Sequence, residues 1–228
     1  AGHPLAQALK EVPDQKDTKK KLALETEKPV LGLLPGSRMS EVTRLTDDFL
    51  DAVQILSNKL PDLQIVAPMA TPSIFQYVKA RVAEHSLKNI KLLDGQSRDV
   101  MAASDILLTA SGTATLEIML YKKPMVVAYK VHWLSYFIFI KLGLLKTRYF
   151  AMPNILANKM VVPELMQDEC TPENLADKVL QLMENEEVKI SLKSDFEKMH
   201  KDLAEGNIDT AADAVLSLLN GETTDVPR

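Results

Sequence analysis

Apolar positions in this chain fall into short continuous runs that alternate with longer stretches of helical spacing. Residues 30–34 form a continuous apolar run, the pattern of a parallel strand covered on both faces. Over 39–59, Val42, Leu45, Phe49, Leu50, Val53 and Leu56 share one helical face. The same reading predicts a strand over 63–67 ended by Pro68, a helix from 72 to 85, a strand over 90–93 and a short helix over 99–103. Strands over 106–109 and 125–128 follow, separated by a helix that begins near Ser111. Residues 162–167 read as a last short strand and turn. Thr171, Pro172 and Glu173 open a helix over 172–184, and further helices are expected over 188–203 and 208–219 before a polar tail.

Strands and helices in this alternation predict right-handed βαβ units, an α/β fold of Rossmann-like type with a doubly wound parallel sheet and C-terminal helices. In the usual winding the first and fourth strands are neighbours where the strand order reverses. Their C-terminal loops, 35–38 and 109–113, should then flank one crevice. Ser111 is the expected N-cap, with Gly112, Thr113 and Ala114 as a small-residue first turn whose N–H groups can meet an anion. Glu117 lies one turn deeper on the face of Thr113 and Ala114, where a carboxylate can accept from a diol. Phosphate at the helix tip and ribose beyond it would hold a nucleotide diphosphate. The plainer reading has Ser111 capping an ordinary helix and Glu117 facing water. Arg38 offers a planar fork of donors to a phosphate, or is a solvated side chain at a helix start.

Residues 131–146, VHWLSYFIFIKLGLLK, are apolar nearly all round and too short to span a bilayer. Three readings stand for them: a buried helix, a partner-binding face, or a segment lying in a membrane interface with Trp133 and Tyr136 at headgroup level. Pro153 disfavours helix at Met152, which makes Asn154 the expected start of the next one. Residues 11–21 are polar and lysine-rich, a linker or a solvated helix.

Composition narrows the function classes. The 228 residues are 46% hydrophobic and 25% charged, ordinary for a globular protein, and the formal charge of -4 argues against nucleic acid as a partner. Cys170 is the only cysteine, so no internal disulfide forms and a reducing compartment is expected. The opening AGHPLAQAL lacks a signal-peptide pattern and is expected to be a cut inside a longer protein. No Walker A or G-x-G-x-x-G sequence is present, and His3, His85, His132 and His200 show no metal-ligand spacing. Neither a metal nor a cofactor is expected.

Seven motifs in register carry a resemblance: LPGSR at 34–38, Glu41-Val42, LLDG at 92–95, ASGTATLE at 110–117, PMVVAYK at 124–130, PNILA at 153–157 and VPELMQ at 162–167. Together they resemble the C-terminal half of the lipid-A-disaccharide synthase family, over nearly the whole chain. The resemblance implies the donor-binding domain of a two-domain GT-B glycosyltransferase, cytoplasmic and peripheral on the inner membrane of Gram-negative bacteria. Such enzymes transfer diacylglucosamine from UDP-2,3-diacylglucosamine to 2,3-diacylglucosamine 1-phosphate, giving a β-1,6 disaccharide with inversion. The implied organisation is an interdomain linker over 1–29, a nucleotide-sugar domain over 30–206, and a C-terminal helix and tail over 207–228. By the same resemblance Arg38 meets phosphate, the Ser111, Gly112 and Thr113 turn meets the diphosphate, Glu117 meets ribose, and Asn154 and Gln167 belong to the donor site. The catalytic base is unknown and expected in the N-terminal half, so this piece is expected to bind donor without turnover. Trp133, Phe137 and Phe139 are the membrane-facing candidates, and a homo-oligomer is open. Alternatives are another UDP-sugar enzyme such as an epimerase, or a non-catalytic domain that binds a membrane or a partner.

Overall fold

The structure, a computed structural model, describes residues 2–9, 11–131 and 149–206. The apolar segment over 131–146 with Trp133, Phe137 and Phe139, and the helix expected over 208–219, lie outside the described residues apart from Val131 itself. Among the described residues six parallel strands form one sheet: β1 (Val30–Leu34), β2 (Gln64–Met69), β3 (Ile90–Asp94), β4 (Ile106–Ala110), β5 (Met125–Tyr129) and β6 (Glu164–Met166). Their order across the sheet is β3-β2-β1-β4-β5-β6, so β1 and β4 are neighbours at the reversal. The register pairs Leu34 with Thr109, which brings the C-terminal ends of both strands level.

β1 and β4 are buried at every position because helices cover both faces. α3 (Met39–Lys59) follows β1, and its apolar stripe ending at Leu56 is fully buried. α4 (Pro72–Glu84) follows β2, α5 (Ser97–Ala103) follows β3 and α6 (Thr113–Leu120) follows β4. α7 (Met152–Ala157) lies between β5 and β6, and α8 (Pro172–Glu184) returns to pack on α3, β4 and β5. The long α9 (Glu186–Glu205) packs against α6, α7 and α8. Right-handed crossovers on a sheet whose winding reverses after β3 put α3 and α4 on one face and α5, α6 and α7 on the other.

Two expectations are corrected. Pro68 does not end β2 but sits inside it, opposite Leu93 of β3. Pairing with β1 stops at Val66, so a residue without an N–H is tolerated on what is locally a one-sided strand. The N-terminal segment is not simply solvated either. α1 (Pro4–Ala8) and α2 (Gln15–Lys21) are docked on the domain. His3 N–H donates to Leu203 O at 2.9 Å, and Lys19, only 4% exposed, reaches Asp105 at 3.0 Å and Lys28 O at 2.9 Å. Asp105 also accepts from the N–H of Val30 and from Gln15, so the lysine-rich segment closes the N-terminal edge of the sheet.

Candidate functional site

The loops after β1 and β4 converge, as the strand order requires, on a crevice of about 530 Å³ at the C-terminal edge of the sheet. Gly36, Ser37, Arg38 and Glu41 form one wall, Ser111 to Ala114 and Glu117 another. Each loop turns on a glycine. Gly36 has φ of 123°, and a Cβ there would lie 2.9 Å from Glu41 Oε2. Gly112 has φ of 145° and faces open space, so a ligand can approach its backbone.

Ser111 is not the N-cap. Gly112 is, because its positive φ delays the turn by one residue, and it makes no side-chain cap bond. The first helical turn is therefore Thr113, Ala114 and Thr115; Thr115 N–H donates to Gly112 O at 3.1 Å, while the N–H groups of Thr113 and Ala114, which line the crevice, have no intrahelical acceptor. Ser111 instead donates its hydroxyl to Phe150 O at 2.9 Å, fastening the chain that returns before α7 to the turn. Thr115 extends that seam, since Met152 N–H donates to its Oγ1 at 3.0 Å.

Glu117 lines the crevice and is more than half shielded from water. Burial raises its pKa above the usual carboxylate range, and Arg98, whose Nε is 3.9 Å from Oε2, pulls the other way. Arg38 lines the crevice, is 80% exposed at its side chain and pairs with Glu41 at 3.1 Å, a carboxylate with which an anion would compete for its guanidinium.

The structure does not bring Asn154 or Gln167 to this crevice. Asn154 is fully buried inside α7 rather than starting it, because Pro153 serves in the first turn with Ala151 as the cap. Its Oδ1 accepts from the N–H groups of Val161 and Val162, and its Nδ2 donates to Val162 O and to Glu164 Oε1. Those four bonds use its whole hydrogen-bonding capacity. Gln167 clamps Val131, accepting from its N–H at 2.7 Å and donating to its O at 3.3 Å. It lines a separate shallow hollow beside Lys130 and Asp48.

Sequence reasoning missed four contributors. Arg98 approaches Glu117 from α5, and Tyr129 and Phe150 stack on each other at the far end of the crevice with centroids 5.0 Å apart. Glu164 was seen only as part of a motif, yet its carboxylate accepts from Phe150 N–H at 2.9 Å, Ala151 N–H at 2.8 Å and Asn154 at 2.6 Å. Nothing in local spacing signals such contacts, because their partners come from other elements. Among the described residues no group of His, Cys, Asp or Glu is placed to hold a metal ion, and no helix is long and apolar enough to cross a membrane.

Comparison with known proteins gives the chain a family and its fold a set of neighbours. The family model described as lipid-A-disaccharide synthetase matches residues 1–217. A lipid-A-disaccharide synthase of Xanthomonas campestris pv. campestris strain 8004 is 45% identical over 220 residues, covering 96% of this chain and 50% of that protein. The chain thus spans about half the length of the curated relatives it matches. In fold it is similar to the C-terminal domain of a group 1 family glycosyl transferase from Francisella tularensis, with TM-score 0.59, 16% identity, and coverage of 85% of this chain and 94% of that one. It is likewise similar to the Anabaena protein HepE solved with UDP-glucose, with TM-score 0.56, 16% identity, and coverage of 91% and 52%.

Proposed function

The chain belongs to the lipid-A-disaccharide synthase family, and from that premise we propose that its crevice is the donor site of a glycosyltransferase of lipid A biosynthesis. The donor is UDP-2,3-diacylglucosamine and the acceptor 2,3-diacylglucosamine 1-phosphate, joined as a β-1,6 disaccharide with release of UDP. One observation carries the reading most: the loops after β1 and β4 meet where the strand order reverses, with a helix tip, an exposed guanidinium and a half-buried carboxylate around a single crevice. Ligands of open parallel sheets bind at such a reversal.

Chemistry at the donor follows from those groups. As the bond from the anomeric carbon to the diphosphate breaks, negative charge grows on the leaving oxygens. The N–H groups of the α6 tip and the Arg38 guanidinium stabilise that charge by preorganised hydrogen bonding. Glu117 takes the ribose hydroxyls, and Arg98 keeps its carboxylate oriented. Asn154, Glu164 and Gln167 serve by holding the walls rather than by touching the nucleotide. Residues 30–206 form the donor-binding domain and 1–29 the segment that leads into it, while the base for the acceptor hydroxyl comes from outside this chain. Membrane association on the cytoplasmic face, through Trp133, Phe137 and Phe139, completes the proposal.

Isothermal titration with UDP tests it directly. Saturable binding that is lost on changing Thr113 to a bulky Trp at the helix tip is expected. Absence of UDP binding by the parent chain would remove the reading.

A further inference from the structure

The crevice changes chemical character along its length, and two contacts give it a direction. On the α5 side Arg98 meets Glu117, and on the α7 side Met152 N–H donates to Thr115. On the donor-site reading, with phosphates at the α6 tip and ribose at Glu117 beside Arg98 of α5, the base falls on the side of Gly95 and Met101, after β3, and the sugar on the opposite side, toward β5 and α7. At that end the lining is Tyr129, Phe150, Met152 and Ile155. Tyr129, Phe150 and Ile155 are only partly buried, and the two rings stack nearly parallel at 18°.

Apart from the Tyr129 hydroxyl, these side chains offer no donor or strong acceptor, so the wall suits hydrocarbon better than the hydroxyl-studded surface of a plain sugar. The wall is also held rigidly against the anion turn. Phe150 O accepts from Ser111, and Glu164 accepts from the N–H groups of Phe150 and Ala151. A chain seated there must therefore be attached close to the anomeric carbon, next to the diphosphate. We propose that Tyr129, Phe150 and Ile155 seat an acyl chain carried on the donor sugar near its anomeric carbon, and that they set the chain length accepted. This inference rests on the donor-site reading and adds to it the residues that discriminate among acylated donors.

The test compares UDP with UDP-glucosamine N-acylated by acetyl, hexanoyl or decanoyl groups, each below its micellar concentration, by isothermal titration against the whole chain. Each fully buried methylene multiplies affinity roughly fourfold, so even partial burial predicts about a tenfold or greater gain from acetyl to decanoyl. Ile155→Ser should cut that gain to less than about threefold, and Phe150→Ala, read alongside it with circular dichroism and a melt, guards against a variant that fails to fold. UDP binding with no dependence on chain length would overturn the inference and leave the donor site intact. A chain-length gain that persists in both folded variants would overturn the location. Failure of UDP itself to bind would overturn the donor-site reading, and this inference with it.

Discussion

Asn154 donates to Glu164 Oε1 at 2.6 Å across the turn between α7 and β6, and the same asparagine accepts from two consecutive backbone N–H groups. Replacing it by Leu keeps the volume but takes the acceptor from the N–H groups of Val161 and Val162 and the donor from Val162 O, while Glu164 Oε1 keeps the N–H of Ala151. Unsatisfied buried groups of this kind cost about 1–3 kcal/mol each, so Asn154→Leu should lose roughly 2–5 kcal/mol in urea denaturation. A loss below about 0.5 kcal/mol would show that the turn rearranges at little expense.

Glu117→Ala should weaken UDP by about tenfold or more while changing pyrophosphate affinity little, because the carboxylate is assigned to ribose and charged hydrogen bonds are worth roughly 1.5–3 kcal/mol. Titration of both ligands separates the cases. Equal losses would place Glu117 at the phosphates instead.

Gly36 and Gly112 both have positive φ, but their surroundings differ, and so should the variants. Gly36→Ala adds a clash with Glu41 to the backbone strain, since the new Cβ would lie 2.9 Å from Oε2 and 3.0 Å from Cβ of that residue. Gly112→Ala adds strain alone, roughly 1–2 kcal/mol. Gly36→Ala is expected to have the lower thermal midpoint, and Gly112→Ala to lose UDP affinity out of proportion to its stability. The reverse order of midpoints would mean that Glu41 moves aside freely.

Lys123 gives a pH dependence of defined sign. Burial lowers its pKa from 10.5 to about 8, with Asp105 opposing. Between those values the unfolded chain binds more protons than the folded one, so stability rises with pH across that window. Lys123→Met should raise the midpoint at pH 7 and flatten the rise between pH 8 and 10 relative to the parent. An unaltered slope would assign the effect to Lys122, also lowered to about 8.

Turnover separates donor binding from transfer. Given both acylated sugars, this chain is expected to bind UDP and form no disaccharide, whereas a full-length relative forms it, as followed by thin-layer chromatography of radiolabelled donor. An inverting transfer needs a base in reach of the acceptor hydroxyl. Disaccharide from this chain at a comparable rate would place that base within it.

The sheet was legible in the sequence because its signal is local. Continuous apolar runs of strand length bounded by turn residues, such as 30–34 and 106–109, fit a strand covered on both faces, and β1 was bounded correctly from that pattern. α3 followed from the spacing of Val42 to Leu56. The crevice was legible to the extent that two Gly-containing turns had to meet once the winding was right. Ser111 misled because serine before a helix is the commonest cap, and only the φ of Gly112 shows that the helix starts one residue later. Asn154 misled for a related reason. Its partners are backbone groups of residues 161 and 162 and a carboxylate on β6, and no spacing rule announces a side chain that stitches a later strand to its own helix.

The buried ammonium of Lys19 bears on how domains could be exchanged between relatives. Its acceptors are Asp105 just before β4, the carbonyl of Lys28 and, at 3.5 Å, the carbonyl of Thr26, and Asp105 in turn receives the first N–H of β1. A chimera joined at Pro29 would pair that carboxylate with a foreign segment and leave the edge of the sheet open to water. A join placed before His3 carries the whole cluster along, together with the bond from His3 to α9. The natural seam for recombination therefore lies about two dozen residues upstream of the first strand.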